Sequence, residues 1–408
     1  MIYWALLLHV YQPPTQSHDV LRKVCRECYR PLLKIIGRNT NARISLNISA
    51  VLTEMLWEHN ARDVIDSIKD LAAKGRLELV DSGKYHPIFP LIPKEEQSRQ
   101  IELNRRTNRR FFGEFYKPRG FFPPELAYSP DMAATLIHSG HDWLLVSGVS
   151  CPVAWPLNVV HYVERDGRSI KVLFRDDVLS NRISFRKTTP GQFLNDLRQL
   201  QQDRQDIYVV TAMDGETFGH HNKGWDREFL EESLRLLASN ESDGMTLVTV
   251  SDLVDAFPPG QAIEAVSSSW SSSRSDLKEV NPYPLWDSPG NNLHRWLWAH
   301  LDACIQMTKK AKEVATTEEA QSCANTARLL LDQSLHSCQF FWASRRPMWD
   351  ADMVLRGLLL QQHALLTAFR AIQSSRMPTE EFQELQRRLE EARSLRSGIE
   401  DALMSPEE

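Results

Sequence analysis

The sequence has little of what marks a secreted, membrane or nucleic-acid-binding protein. Six cysteines in 408 residues do not make a disulfide framework, and no apolar run approaches the roughly 18 residues of a membrane helix. The formal net charge is -5, without the basic excess typical of nucleic-acid-binding proteins. The first residues lack the basic segment of a signal peptide and predict a strand instead. These absences predict a cytoplasmic protein with no nucleic-acid partner and no membrane partner.

Motifs for metal binding are also sparse. Cys25 and Cys28 form a CxxC pair, and the sequence contains no second such pair. A redox or zinc motif is one interpretation, but we expect two reduced thiols on a helix. No HxxxH or HxH spacing occurs, and the adjacent His220 and His221 would point apart. A zinc site built from these histidines with His9 and Asp214 remains the alternative to our prediction of no metal.

The composition, with 42% hydrophobic and 25% charged residues, is ordinary for a globular protein with a large domain and a smaller one. Short apolar segments alternate with helical segments, a pattern typical of a parallel sheet with right-handed crossovers. An Asp-Gly pair at 166–167 predicts a β-hairpin over residues 162–175, inserted in this pattern. The predicted strands are residues 2–10, 43–48, 76–80, 120–125, 143–147, 207–212 and 245–250.

The chain is predicted to divide into three parts. Residues 1–260 form an α/β domain, and polar residues at several strand ends favour a barrel, because the strand ends of a barrel open onto one face. Residues 261–290 are rich in serine and form a linker loop around Trp270. Residues 291–408 show helical periodicity and form an all-helical domain.

The most unusual segment is residues 207–221, where an apolar strand runs into Asp214, Glu216 and two histidines. Such side chains are costly to bury, and functional sites in α/β folds lie at the carboxyl ends of strands. Asp214 is therefore a candidate site residue. The alternative is a turn or helix-capping aspartate before Gly215.

A second carboxylate, Glu125, follows Pro123 and Pro124 at another predicted strand end. The two prolines would hold it in a fixed position, although it could instead cap the helix that follows. Two carboxyl groups in one pocket suit a retaining glycosidase, which needs a nucleophile and an acid about 5–5.5 Å apart.

Other polar residues lie beside predicted strand ends, and each either contacts a ligand or is satisfied within the fold. Trp270, in the serine-rich loop, either stacks on a sugar ring or anchors the loop. Glu216 would raise the proton affinity of Asp214, since like charges favour the protonated form. The remaining candidates are His9, Gln12, Glu78, His86 and His220.

The order of these motifs resembles glycoside hydrolase family 57. The matching segments are HVYQP at 9–13, GRLE at 75–78, PPELAY at 123–128 and DGETFG at 214–219. Tyr11 stands where the family has a second histidine. In the helical region, Gln339 and Trp342 match a fifth motif, with Gln339 in place of an acid.

The resemblance implies an incomplete parallel (β/α)7 barrel followed by helices, with no metal or other cofactor. It implies that Glu125 is the nucleophile and Asp214 the acid/base of a double displacement through a covalent glycosyl-glutamate, while the other candidates bind substrate. The predicted function is a retaining glycosidase or transglycosylase acting on α-1,4-glucan or maltooligosaccharides. The alternatives are an α-galactosidase on the same scaffold, a metal-dependent carbohydrate hydrolase or deacetylase, and a non-catalytic glucan-binding protein.

Overall fold

A computed structural model describes residues 1–201, 205–239, 244–345 and 348–404. The chain forms two compact units. The larger comprises Met1–Gln12, Gln16–Lys84 and the described part of Phe89–Arg274; the smaller comprises Pro13–Thr15, Tyr85–Ile88 and the described part of Ser275–Glu408. The main division, after Arg274, falls inside the segment predicted as a linker.

The strands of the larger unit agree closely with the apolar segments of the sequence. Most are buried along their whole length, as expected for a parallel sheet covered by helices. In the described part of the chain they are β1 (Ile2–Val10), β2 (Ile44–Ile48), β3 (Leu77–Val80), β4 (Gly120–Phe121), β5 (Trp143–Ser147), β6 (Val160–Arg165), β7 (Arg168–Arg175), β8 (Ile207–Asp214), β9 (Met245–Val248) and β10 (Pro259–Ala262).

These strands form two sheets. The first has the order β3-β2-β1-β8, all parallel, and β9 pairs with the beginning of β1 while β2 pairs with its end. The second has the order β10-β6-β7-β5-β4. The predicted hairpin is present as β6 and β7, but the prediction that it is an insertion was wrong. β7 pairs parallel with β5 and so belongs to the main series of strands.

Two links join the sheets into an incomplete barrel. Asp81, after β3, bridges Phe121 of β4, and the backbone N–H of Asp176, after β7, donates to the carbonyl of Val210 in β8 at 2.8 Å. The series β1-β2-β3-β4-β5-β7-β8 therefore contains seven parallel strands, which confirms the predicted fold class. The interior is filled by alternate residues of these strands, including Ala5, Leu7, Val80, Leu145, Leu173, Val210 and Ala212.

Helices follow most strands of the larger unit. Several begin at a side-chain cap; Thr189, for example, accepts from the backbone N–H of Gln192 in a capping box. They are α1 (His18–Val24), α2 (Arg30–Arg38), α3 (Ala50–Glu58), α4 (Arg62–Ala73), α5 (Lys94–Phe112), α6 (Met132–His138), α7 (Asp177–Ser184), α8 (Pro190–Leu200), α9 (Glu232–Ala238) and α10 (Val250–Ala256). A π-helical turn, Cys25–Tyr29, joins α1 to α2, and a second, Asp226–Glu231, precedes α9.

The smaller unit is helical, as predicted from residue 291 onward. Its helices bury apolar residues at three- and four-residue spacing, such as Leu297, Leu301 and Cys304. After α11 (Arg274–Lys278), at the division, they are α12 (Asn292–Val314), α13 (Glu318–Ser334), α14 (Cys338–Phe341), α15 (Ala351–Gln373) and α16 (Thr379–Met404). Residues 405–408 of the predicted helical domain lie outside the described residues. No helix in the described part of the chain is long and apolar enough to cross a membrane. The cytoplasmic location stays a prediction.

Candidate active site

The pairing of β1 with β8 places His9 beside Asp214. Their Cα atoms are register partners, and His9 is also the partner of Asn47 on β2. Side chains alternate in direction along a strand, and Leu7 and Ala212, two residues earlier on β1 and β8, face the barrel interior. His9 and Asp214 therefore face the interior as well. The two polar side chains therefore form the layer of the barrel interior at the carboxyl ends of these strands.

Asp214 is half-buried, and among the described residues no side chain donates a hydrogen bond to its carboxylate. Burial raises the pKa of Asp214, and the His9 ring and the Arg175 guanidinium oppose this shift. Arg175 is itself fixed, because its Nε donates to the carbonyl of Ala212 at 2.7 Å. A carboxyl group with a raised pKa and no internal donors is suited to exchange a proton with a ligand.

Glu125 lies in a short 3-10 turn, Pro124–Leu126, with φ of +61°. This left-handed conformation is uncommon for a residue other than glycine. Trp270 holds the turn by two hydrogen bonds: its indole Nε1 donates to Oε2 of Glu125 at 2.8 Å, and its backbone N–H donates to the Glu125 carbonyl at 3.0 Å. The tryptophan thus fixes both the backbone and the side chain of Glu125.

The Glu125 and Asp214 carboxyl groups are electrostatically coupled. Burial and the negative charge of Asp214 raise the pKa of Glu125 to about 8, against the opposing Trp270 hydrogen bond. A negative charge on one of the two carboxyl groups disfavours ionisation of the other, so the pair favours a state with one proton. One protonated and one ionised carboxyl group is the state from which a retaining glycosidase starts.

His9 is held in one tautomer by Asn47. The Asn47 amide nitrogen donates to the carbonyls of Val80 and Asp81 at 2.9 and 3.1 Å, which leaves its Oδ1 to accept from Nδ1 of His9 at 2.7 Å. Burial lowers the pKa of His9. The ring therefore carries its proton on Nδ1, and in the neutral form Nε2 is an acceptor. Phe122 stacks on the ring with 4.8 Å between centroids.

Glu216 is buried and accepts two hydrogen bonds on Oε1. Tyr29 OH donates at 2.5 Å and Gln12 Nε2 at 3.3 Å. Burial and the charge of Asp214 raise the pKa of Glu216 to about 8. Three carboxyl groups with raised pKa values therefore interact through Asp214, and Glu216 holds a proton at neutral pH.

The segment after β8 is attached to the π-helical turn Cys25–Tyr29. Besides the bond from Tyr29, Cys28 Sγ donates to the carbonyl of Gly215 at 3.1 Å, and His220 Nδ1 lies 2.8 Å from Oε2 of Glu27. Cys25 and Cys28 are buried thiols on this turn. Single π-helical turns are frequent at functional sites, and this one fixes the position of the residues that follow Asp214.

Residues 4–266 match the model of glycosyl hydrolase family 57. The chain belongs to this family. The order of the motifs at His9, Glu78, Glu125 and Asp214 had predicted it, and that prediction is confirmed.

Curated relatives match about three fifths of the chain. An alpha-amylase of Pyrococcus horikoshii is 29% identical over 264 residues, which cover 62% of this chain and 40% of the relative. A 4-alpha-glucanotransferase of Thermococcus litoralis is 28% identical over 268 residues, covering 62% and 38%. The chain thus corresponds to about two fifths of the length of these relatives.

Solved structures of family 57 enzymes share the fold. A branching enzyme of Pyrococcus horikoshii has a TM-score of 0.72 with 14% identity, covering 95% of this chain and 94% of the other. The 4-alpha-glucanotransferase of Thermococcus litoralis has a TM-score of 0.71 with 20% identity, covering 92% and 60%. At these identities the likeness concerns the fold alone.

Glu78 matches a family motif, but the structure does not bring it into the layer of His9 and Asp214. Its register partner on β2 is Ser45, two residues before Asn47, so it lies one inward layer closer to the amino ends of the strands. Oε2 accepts from Ser45 Oγ at 2.7 Å, and Oε1 accepts from the hydroxyl of Ser251. Both carboxylate oxygens are thus bound inside the barrel.

The other predicted residues lie in the smaller unit. His86 is fully buried, with φ of +57° and its Nδ1 2.9 Å from Oγ of Ser337. Gln339 is also fully buried, and its amide bridges the carbonyl of Ser334 and the side chain of Gln361. A sugar could contact either residue only if this packing opened. Trp342 is half-buried beside Phe341.

Three residues around the site were not found from the sequence. Asn47 had a signal, because it is a polar residue in the middle of a fully buried strand. Tyr29 and Arg175 had none, since their partners are 187 and 37 residues away along the chain. Within residues 1–201, 205–239, 244–345 and 348–404, no group of three His, Cys, Asp or Glu side chains is placed to hold a metal ion.

Proposed function

We propose that this protein is a retaining glycosidase or transglycosylase acting on α-1,4-glucan or maltooligosaccharides. The observation that carries the proposal is the coupling of two carboxyl groups, Glu125 and Asp214, at the carboxyl ends of the barrel strands. Membership of family 57 and relatives named alpha-amylase and 4-alpha-glucanotransferase support the choice of substrate.

In the proposed reaction, an oxygen of Glu125 attacks the anomeric carbon while Asp214 donates a proton to the departing glycosidic oxygen. The bond to the leaving sugar breaks, and a covalent glycosyl-glutamate forms. Asp214, now ionised, then takes a proton from water or from a sugar hydroxyl, whose oxygen displaces Glu125. Water as acceptor gives hydrolysis, and a sugar hydroxyl gives transfer.

This assignment requires the shared proton to lie on Asp214 in the substrate complex. In the free protein, His9 and Arg175 favour the ionised form of Asp214, whereas burial and the charge of Asp214 favour the protonated form of Glu125. Positive charge develops at the anomeric carbon in the transition state. That charge stabilises an ionised Glu125, as does the Trp270 N–H, and Asp214 then holds the proton.

The remaining site residues would position the sugar. His9 lies beside Asp214, and its ring is oriented by the bond from Nδ1 to Asn47. Burial and the charge of Asp214 favour the protonated form of Glu216, which accepts a hydrogen bond from Gln12 at 3.3 Å. His220 is half-buried, with its Nδ1 2.8 Å from Oε2 of Glu27.

An α-maltosyl fluoride separates the two roles, because fluoride departs without a proton donor. Asp214→Asn should still release fluoride in a burst and accumulate the glycosyl-enzyme, while Glu125→Gln should release none. Glu78→Gln is the matched control: it removes a barrel carboxylate one layer away and should change fluoride release by less than about twofold. A burst in Glu125→Gln together with none in Asp214→Asn would reverse the roles.

The alternatives are separated by simple assays of the unmodified protein. Shorter products from maltooligosaccharides indicate hydrolysis, and products both longer and shorter indicate transfer. Faster turnover of an aryl α-galactoside than of the glucoside would favour the α-galactosidase. Loss of turnover after chelation would favour the metal-dependent hydrolase, and binding of glucan without turnover would favour the non-catalytic protein.

A further inference from the structure

The larger unit has an open polar pocket beside the π-helical turn that carries Cys25 and Arg26. Its volume is about 420 Å³. No acidic residue lines it, and the ionisable side chains that do are mostly basic. The polar lining residues are His18, Arg22, Arg26, Arg30, His59 and Asn60.

The spacing of the basic residues explains how one pocket collects them. His18, Arg22, Arg26 and Arg30 follow one another at every fourth position. In a regular α-helix, positions four apart drift round the axis by about 40° each time. The π-helical turn between α1 and α2 is wider, with bonds to the fifth residue, and reduces that drift. The basic side chains therefore stay on one face.

The positive charges of the pocket are only partly neutralised. Arg22 pairs with Asp19 through one contact of 2.9 Å, and Arg30 pairs with Asp63 through two hydrogen bonds of 2.6 and 2.9 Å, in both cases at exposed positions. An exposed single-contact pair such as that of Arg22 is weak, whereas the two-bond pair holds Arg30 more firmly. Arg26 makes no hydrogen bond or ion pair with any described residue. Its guanidinium is thus available to an anion.

Two imidazoles complete the pocket. The rings of His18 and His59 stack with their centroids 4.3 Å apart, and neither ring makes a hydrogen bond to a described residue. Stacked imidazoles offer ring N–H donors on the same side as the guanidinium groups. His59 and Asn60 come from the turn after α3, so donors converge from two separate segments.

We propose that this pocket binds a small phosphate monoester of the hexose phosphate class. A phosphate dianion presents three acceptor oxygens, which match guanidinium forks and imidazole N–H groups better than a single carboxylate does. The volume exceeds what a bare phosphate fills and accommodates a sugar ring beside Asn60. A neutral sugar would leave the guanidinium of Arg26 without a counter-charge.

The proposed site is distinct from the Glu125 and Asp214 pair. None of its lining residues contacts either carboxylate. The same π-helical turn, however, binds the segment after β8 through Cys28 and Tyr29. Binding can therefore be measured without assuming any reaction at the carboxylates.

Isothermal titration calorimetry at low salt tests the proposal, with glucose 6-phosphate, inorganic phosphate and glucose as probes. The unmodified protein should bind glucose 6-phosphate more tightly than inorganic phosphate and should not bind glucose at the same concentrations. Arg26→Gln should weaken binding at least about tenfold, the effect of losing one charged hydrogen bond. Arg26→Lys keeps the positive charge but loses the planar guanidinium with its paired N–H donors. Its affinity should lie between those of the unmodified protein and Arg26→Gln.

Lys23→Gln is the matched control, because Lys23 is exposed on α1, carries the same charge and does not line the pocket. It should change the affinity by less than about twofold, as exposed charges do. Equal weakening by Lys23→Gln and Arg26→Gln would overturn the proposal, as would failure of both phosphate probes to bind at millimolar concentration. Equal affinity for inorganic phosphate and glucose 6-phosphate would overturn the hexose class.

Hydrogen exchange then locates the ligand. Glucose 6-phosphate should slow amide exchange in residues 18–30 and 58–62 of the unmodified protein. Slowing confined to other segments would overturn the location. Because Arg26 is exposed and makes no internal bonds, its variants should melt within about 2 °C of the unmodified protein.

Discussion

Two aspartates of the barrel are placed alike in the sequence and differ completely in their surroundings. Asp81 follows β3 and Asp214 ends β8, each at the carboxyl end of a buried strand. Asp81 is fully buried, and burial alone would favour its protonated form. Yet hydrogen bonds and charges from its neighbours lower the pKa of Asp81, while burial raises the pKa of Asp214.

The partners of Asp81 account for the difference. Oδ2 accepts from Nε of Arg105 at 2.6 Å and lies 3.0 Å from Nε2 of His141, and Oδ1 accepts from Asn104 and Tyr116 at 2.8 and 3.0 Å. Asp214 has no such donors among the described residues. A buried carboxylate with a complete set of partners stabilises the fold, whereas one without them is left to interact with a ligand.

Exchanging each aspartate for asparagine should separate the two roles, with the largest effects expected in this protein. Asp81→Asn removes the charge that Arg105 balances and should lower the free energy of unfolding by about 3–5 kcal/mol. Asp214→Asn should leave that free energy unchanged or higher. It should lower kcat on maltooligosaccharides at least about 100-fold, the usual contribution of a general acid.

Urea unfolding and initial rates measure both effects, and each variant is the control for the other. Unfolding of Asp81→Asn at the same urea concentration as the unmodified protein would show that Asp81 does not stabilise the fold. A loss of stability in Asp214→Asn as large as that in Asp81→Asn would show that the two aspartates do not differ in this role.

A smaller effect is expected at Asn47, which connects the two regions by binding the Asp81 carbonyl and the His9 ring. Asn47→Ala removes the acceptor for Nδ1 of His9, and the tautomer is no longer fixed. We expect kcat to fall roughly tenfold, as is common when a residue that orients a functional histidine is lost. The free energy of unfolding should fall by about 1–3 kcal/mol, since two carbonyls lose their donor.

The ¹⁵N chemical shifts of the His9 ring distinguish positioning from mere destabilisation. They should report one tautomer in the unmodified protein and a mixture in Asn47→Ala. Ser45→Ala, one layer lower on β2, is the control: it removes a hydrogen bond to Glu78 and should leave the His9 shifts unchanged. Unchanged shifts in Asn47→Ala would contradict the role of Asn47.

The smallest expected effect is on the pH dependence of stability, and its sign differs between the two regions. The pKa of Glu216 is about 8 in the folded state and about 4.5 when unfolded, so unfolding releases a proton between these values. The free energy of unfolding should therefore fall as pH rises from about 4.5 to about 8. Asp81 has a lowered pKa, so its contribution is present above about pH 4 and is lost as pH falls through its folded value.

Thermal unfolding from pH 3 to pH 9 checks both signs. Glu216→Gln should lose part of the decrease between pH 5 and pH 8. In Asp81→Asn, the free energy of unfolding should decrease less below about pH 4 than in the unmodified protein. The decrease between pH 5 and pH 8 should remain. A Glu216→Gln profile that parallels the unmodified protein throughout would show that Glu216 is ionised in the folded state.

Local sequence patterns located most strands of the barrel and placed Asp214 and Glu125 at or just after strand ends. Apolar runs, prolines and turn residues are local signals, and they located β1, β5 and β8 to within two residues. The motifs that resemble family 57 are also local, and the family followed from them. The hairpin was located as well, but its pairing with β5 was not, because strand pairing is a long-range property.

Which polar residues share the interior layer with Asp214 became clear from the folded arrangement of the strands. Alternation along a strand tells which side a residue faces, but its depth in the barrel depends on the register between strands. Glu78 therefore lies one layer below His9, although both face inward. The tautomer of His9 and the contrast between Asp81 and Asp214 likewise depend on partners tens of residues away, which no local pattern specifies.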